Sequence, residues 1–285
     1  MVQTMKRPDL GAAIRASQDE HLFARYRERL DPAAAWNATL DTILSHRSVR
    51  TYLPDPVPFE TVQLLVAAAQ SAATSSNLQP WSVVAVEDPA RKARLAALAG
   101  NQAQILQAPL FLLWIVDHHR LTQIGERVGV AAEGLHFLES FLLGAVDTAL
   151  AAQNAVVALE SIGLGSCYIG GIRNKPAEVA AELGLPPQTF ALFGMTVGYP
   201  DAAAPASVKP RLPQQTVLFR ERYGSEASVS AIAAYDGRLR EFQREQSMVE
   251  RDWTDQASQR VRGAASLAGR DVLRSVLHDL GFQLA

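Results

Sequence analysis

Apolar residues along the chain recur at helical spacing in some stretches and run unbroken in short ones elsewhere, with prolines and glycines between. Val62, Leu65, Val66 and Ala69 stand at i, i+3, i+4 and i+7, the stripe of a core-facing helix behind a turn made by Pro54, Pro56 and Pro58. A longer apolar helix is expected over residues 142–159, stopped by Gly163 and Gly165. Residues 81–86 are β-branched and bounded by Pro80 and Asp88, which predicts a strand. Residues 111–116 are a continuous apolar run, the pattern of a strand buried on both faces, and residues 190–197 read as another buried strand. Cys167-Tyr168-Ile169 reads as a short strand broken by Gly170-Gly171. Shorter helices are expected over residues 35–46, from Asp88-Pro89 to about residue 98, and from an Asn174 N-cap through residue 183, with Pro176 in its first turn. From Ile232 onward the pattern is helical and charged.

These elements make an α+β chain. Residues 1–35 read as an N-terminal extension, with a helix over residues 19–30 that Pro32 interrupts, in front of one domain spanning residues 36–285.

Composition narrows the function. The 285 residues are 48% hydrophobic and 20% charged, which excludes wholesale disorder. A formal charge of −2 leaves no basic field for a phosphate backbone, so no nucleic-acid partner is expected. One cysteine, Cys167, allows neither an internal disulfide nor a cysteine-based zinc site and reads as a small core residue. Lys6, Arg7 and Asp9 stand where a leader would be apolar. Asp147, Gln153 and Asn154 interrupt the longest apolar stretch, which therefore reads as a buried helix with no membrane role. A cytoplasmic protein is expected.

Four clusters could carry chemistry. His46, Arg47, Ser48 and Arg50 place two guanidiniums and a hydroxyl within five residues, a grip suited to phosphate. Lys209-Pro210-Arg211-Leu212-Pro213 holds two more cations on a proline-stiffened backbone. The run from Thr74 through Ser75, Ser76 and Asn77 offers donors and acceptors to a heterocycle's edge. Gly170-Gly171 lets backbone approach a flat ligand. Each alone is also what a solvated turn looks like. Other chemistries fail: the Gly163–Tyr168 stretch lacks the third glycine of a dinucleotide fingerprint, Tyr168 blocks a nucleophile elbow at Ser166, and His118-His119 lacks a third metal ligand and reads as a loop edge. With no paired carboxylates in view, a cofactor is expected to supply the reactivity.

Taken in order, the segments HRSVRTY from His46, AATSSNLQPWS from Ala72, LAGNQ ending at Gln102, Asp147 to Asn154, GLGSCYIGGIRN from Gly163, LFGMTVGYP from Leu192 and KPRLP from Lys209 resemble the FMN-dependent nitroreductase superfamily. The resemblance is greatest to its NADPH-dependent nitroreductase/flavin reductase branch, the oxygen-insensitive major type. It implies a nitroreductase-like fold, with a mostly antiparallel central sheet flanked by helices, in an intertwined homodimer. It also implies FMN as cofactor and NADPH as donor. Hydride would pass in ping-pong fashion through flavin N5 to a small-molecule acceptor: a nitroaromatic, a quinone or free flavin. Carried over by position, His46, Arg47, Ser48, Arg50, Lys209 and Arg211 would hold the flavin phosphate and nearby ring edge, and Gln102 would hydrogen-bond the ring. Thr74, Ser75 and Asn77 would border flavin and acceptor, while Tyr168, Gly170 and Gly171 would lie against the ring. Arg244 and, secondarily, Arg270 would bind NADPH; no metal is implied. The chain departs from its relatives at Val249, where another cation is common, and at Asn77 and Trp81. The alternatives are a non-catalytic flavin-binding sensor and a flavin-fold enzyme of other chemistry, such as reductive dehalogenation or flavin cleavage.

Overall fold

Seven of the eight residues from Leu110 to Asp117 are apolar, and all seven are buried in the computed structural model of the chain. The structure describes residues 10–30, 35–204, 206–224 and 228–285. The Pro32 break and the reading of Lys6, Arg7 and Asp9 lie outside the described residues.

The chain divides into two units, one of residues 48–206 and 263–285, the other of residues 1–47 and 207–262. The elements, in chain order, are α1 (Leu10–Tyr26), α2 (Ala38–Leu44), α3 (Phe59–Gln70), β1 (Trp81–Val86), α4 (Pro89–Leu98), α5 (Ala103–Gln107), β2 (Leu110–Asp117), α6 (His119–Val128), α7 (Leu138–Ser161), β3 (Gly165–Ile169), α8 (Pro176–Leu183), β4 (Thr189–Gly198), α9 (Ser228–Glu245), α10 (Trp253–Arg260) and α11 (Leu273–Asp279).

In the larger unit the strands form one antiparallel sheet in the order β1-β2-β4-β3. Because side chains alternate across a strand, β2 faces two layers. Leu110, Leu112 and Trp114 pack with Val62, Leu65 and Ala69 of α3 and Ala151, Ala155 and Leu159 of α7. Phe111 and Leu113 pack on the opposite face with Leu95, Ile105 and Val179 of α4, α5 and α8. A register shift between Trp114 and Ile115 then turns the strand's end toward a third cluster, in which Val116 meets Phe190, Leu277 and Phe282. The expected helix–sheet–helix composition is therefore present.

Several boundaries differ from the pattern-based reading. Helix α1 covers Leu10–Tyr26 where residues 19–30 were expected, and residues 35–46 contract to Ala38–Leu44, capped by the Asn37 side chain on the Leu40 N–H. Asn174 is not an N-cap: it ends a 3-10 turn, and α8 starts after Lys175 with Pro176 at its first position. Gly165 opens β3 instead of stopping α7, which ends at Ser161 before Gly163 takes a φ of +84°. His118 is not a loop edge. It is 1% exposed, rests 5.3 Å from the Phe282 ring, and its Nε2 lies 3.0 Å from the Ser140 carbonyl oxygen. Burial pushes its pKa down, so it stays neutral in the core.

Helix α7 is long and apolar enough to cross a membrane by composition, yet it is the central helix of this unit. Its buried face includes Asp147, Thr148, Ala151, Ala155 and Leu159. Gly144 lets it lie close on the sheet, since a Cβ there would stand 2.7 Å from Val116 Cγ1 and 3.0 Å from His118 Nε2.

In the smaller unit, Tyr235, Leu239 and Phe242 of α9 form a core with Leu212 and Trp253. Helix α1 is tied into it: Arg27 makes two 2.7 Å bonds to Glu245, and Arg238 donates to the Tyr26 carbonyl at 3.2 Å and to Glu28 at 2.5 Å.

Gly144→Ala should lower the unfolding free energy by about 1–3 kcal/mol in a urea melt through overpacking. Gly134→Ala, whose added methyl would meet nothing within 4 Å, should leave the midpoint nearly unchanged.

Candidate functional site

The first cation cluster sits where the chain passes from the smaller unit into the larger, between Arg47 and Ser48. Residues 48–49 meet β3 at Ser166, and Tyr52 then bridges Pro200. Ser48 bridges Ser166 in parallel register, and the Val49 N–H donates to the Ser166 carbonyl at 2.9 Å. Val49 and Tyr52 point inward, and the Tyr52 hydroxyl donates to the Val49 carbonyl at 2.6 Å while lying 2.7 Å from Thr196 Oγ1. Arg50 is left exposed. Among the described residues no carboxylate forms a salt bridge with Arg47 or Arg50.

In the smaller unit His46 and Lys209 are brought together through their main chains. The Arg25 guanidinium donates to the carbonyls of Leu44, His46 and Lys209 at 2.9, 3.0 and 3.1 Å. Lys209, Arg211, Tyr26, Tyr235 and Trp253 line a cleft of about 550 Å³.

The polar run after α3 is ordered by a residue that carried no role in the sequence reading. Asp147, on α7 and 3% exposed, accepts the Thr74 hydroxyl at 2.5 Å and the Ser75 N–H at 3.3 Å. Thr74 Oγ1 in turn accepts the Gln79 N–H at 3.0 Å. Ser76, Asn77 and Gln79 have φ between +50° and +54°, a region costly for residues with a Cβ, and Asp147 is what holds them there. Ser75 and Asn77 are exposed. A lone acid in an apolar helix was the available signal.

After β3, Gly170 lies bare, with Arg173 and Arg270 guanidinium nitrogens 3.4 and 3.8 Å from where its Cβ would be. Burial first, and the Arg270 charge second, pull the Arg173 pKa down. Two adjacent guanidiniums repel, so the place favours an anion or electron-rich group. Arg173, which also donates to the Leu192 carbonyl, was missed by the sequence reading. Gly171 has a packing reason of its own: a Cβ there would overlap the Ala99 carbonyl. Tyr168 makes an edge contact with Phe193 at 5.1 Å and lies on the α7 side, 3.4 Å from Gln153 Oε1. Burial raises its phenol pKa well above the usual value, so it is a neutral hydroxyl. Cys167 is buried and its thiol is likewise pushed up, which leaves it inert.

Gln102 is half-buried before α5 and accepts from Gln104 Nε2 at 2.8 Å. Arg244 is exposed on α9, paired with Glu250 through 2.9 and 3.1 Å bonds that raise its pKa. Arg270 lies in the other unit, so the two residues expected to hold NADPH do not belong to one compact body.

Residues 43–199 match the Nitroreductase family, and residues 209–285 match the Nitroreductase family, C-terminal domain. The chain belongs to the nitroreductase family. It is 39% identical over 225 residues to the FMN reductase (NADPH) of Bacillus subtilis, covering 77% of this chain and 90% of that one. It is 35% identical to the oxygen-insensitive NADPH nitroreductase of Salmonella typhimurium, covering 86% and 98%. The structure of NfrA2 from B. megaterium superposes with a TM-score of 0.82 at 36% identity, covering 88% of this chain and all of the other. The resemblance drawn from seven short segments thus holds along most of this nitroreductase-family chain, including its fold.

Asp147→Ala should release the 74–79 loop of this family member. Losing a charged acceptor costs about 1.5–3 kcal/mol, so amide exchange at Ser75 and Gln79 should rise at least roughly tenfold while the β2 amides stay protected.

Proposed function

We propose that this chain is an FMN-containing, homodimeric, cytoplasmic oxidoreductase that takes electrons from NADPH and delivers them in pairs to nitroaromatics, quinones or free flavin. The observation that carries the proposal is the gathering of the His46 and Lys209 main chains on one guanidinium. It sets the start of one cationic run, at His46, beside Lys209 of the other within the smaller unit.

The residues present fit a flavin mononucleotide. Exposed Arg47, Arg50, Lys209 and Arg211 supply charge-assisted donors of the kind a phosphate dianion takes up. Ser48 adds a hydroxyl, and the half-buried His46 borders the ring edge with Gln102. Gly170 projects no Cβ of its own, so its backbone, flanked by Arg173 and Arg270, would be open to close approach by a flat ring. Arg173 and Arg270 supply positive potential where negative charge gathers during turnover. Thr74, Ser75 and Asn77, held by Asp147, line the side from which an acceptor enters. The bound flavin supplies the redox step itself, taking two electrons with a proton from the nicotinamide and returning them to the acceptor. The protein's work is positional and electrostatic, and water delivers the acceptor's protons. Arg244, now paired with Glu250, would hold the extra phosphate of NADPH.

A second copy of the chain fits the exposed face of α7. Leu138, Leu142, Val146 and Leu150 stand four residues apart and are 47%, 51%, 56% and 43% exposed, beside Phe137 at 55%. An apolar ridge of this length along one helix suits a self-complementary contact.

Arg47→Ala combined with Lys209→Ala should yield protein largely free of flavin, as its visible absorbance shows; a fully yellow double variant would refute the phosphate assignment. Arg244→Ala should raise the KM for NADPH several-fold and leave that for the quinone within about twofold, since a surface ion contact is worth about 1 kcal/mol. Rapid bleaching by NADPH without oxygen, reversed by a quinone, separates this enzyme from a flavin sensor.

A further inference from the structure

We propose that Arg25, in the segment upstream of the family-matching residues, is a positioning residue for the cofactor-phosphate site; the inference rests on the flavin reading above. Helix α1 ends at Tyr26, well before residue 43, where the match begins. Arg25 is nonetheless 7% exposed, near the burial of core side chains.

Its contacts define the role. Nη2 donates to the carbonyls of Leu44 and His46, and Nη1 donates to that of Lys209. The Arg25 carbonyl accepts the Arg211 N–H at 2.8 Å. One residue therefore fixes the backbone of both runs that supply phosphate-binding cations. The guanidinium suits the task because it is planar, permanently charged and carries five donors in a fixed fork.

Two consequences follow for a bound phosphate. A carbonyl oxygen is the negative end of its dipole and would repel the anion; Arg25 turns three of them onto itself. The peptide unit is planar and trans, so drawing the His46 carbonyl toward Arg25 sends the Arg47 N–H to the opposite side. Arg25 itself touches backbone and not the ligand, so its charge acts through the geometry of His46, Arg47, Lys209 and Arg211. It cannot swing away easily, because Arg27 is clamped to Glu245 and Ser17 donates to Asp41 at 2.9 Å.

The test uses the full chain stripped of flavin, titrated with FMN and separately with riboflavin, which lacks the phosphate, and read by flavin fluorescence. Arg25→Ala should weaken FMN by roughly tenfold or more while riboflavin moves by less than about twofold, the pattern of a lost phosphate geometry. An unchanged FMN affinity, or an equal loss for both flavins, would overturn the positioning role. If Arg25→Ala lacks a cooperative melt, Arg25→Lys decides by the same ratio: it keeps the charge but not the fork, and a selective loss of at least about threefold is expected. A wild-type chain that binds both flavins equally, or neither, would strike the flavin reading itself and not Arg25.

Discussion

Strand β2 is apolar on both faces, and the larger unit is arranged to satisfy that constraint. Its side chains can leave water only if a helical layer covers each face of the sheet. The layer made by α3 and α7 takes Leu110, Leu112 and Trp114, and that made by α4, α5 and α8 takes Phe111 and Leu113. Once α7 must lie against the sheet, Asp147 is carried inward with it and accepts from the Thr74 hydroxyl and the Ser75 N–H. Once β3 must pair with β4, Ser166 is left to bridge Ser48 and Gly170 emerges at the strand's end. The chemistry-bearing residues thus stand at the ends of elements whose positions are set by hydrophobic burial.

The smaller unit solves a different problem by polar means. The cationic stretches it holds, residues 46–47 and 209–213, are short and irregular, with prolines at 210 and 213 that give no N–H to a ladder. Irregular backbone of this kind keeps a shape only when its carbonyls have partners. Arg25 provides three, and Tyr235 provides another by donating its hydroxyl to the Pro210 carbonyl at 3.0 Å. Apolar packing of Leu239, Phe242 and Trp253 anchors the helices that carry those donors.

The strands and central helices were legible in the sequence because burial on both faces or along one stripe leaves a direct periodic trace. Residues 81–86 and 89–98 match their elements end to end. Caps were less legible: Asn174 has the chemistry of an N-cap, but Pro176 needs the first helical position, and that moves the cap to Lys175. The cation runs and the polar 74–77 run could be picked out by residue type, and family resemblance assigned them roles. What no local pattern could supply was the partner of each run. Asp147 is separated from Thr74 by 73 positions and Arg25 from Lys209 by 184. The first was visible only as an acid interrupting an apolar helix, and the second as one arginine among many in a polar extension. His118 was misread for a similar reason: its neighbour Phe282 lies near the other end of the chain.

Like charges held close together carry a cost that a bound anion removes. Within the larger unit, Arg173 and Arg270 stand close enough for the second to depress the first. An anion bound beside such a pair relieves the repulsion, so anion binding and folding are linked. At a ligand concentration one hundred times the Kd, such linkage adds about 2.7 kcal/mol to stability. Arg25 is buried and holds backbone carbonyls, whereas Arg47 and Arg50 are exposed, so the group that fixes the chain's shape is distinct from the cations at its surface.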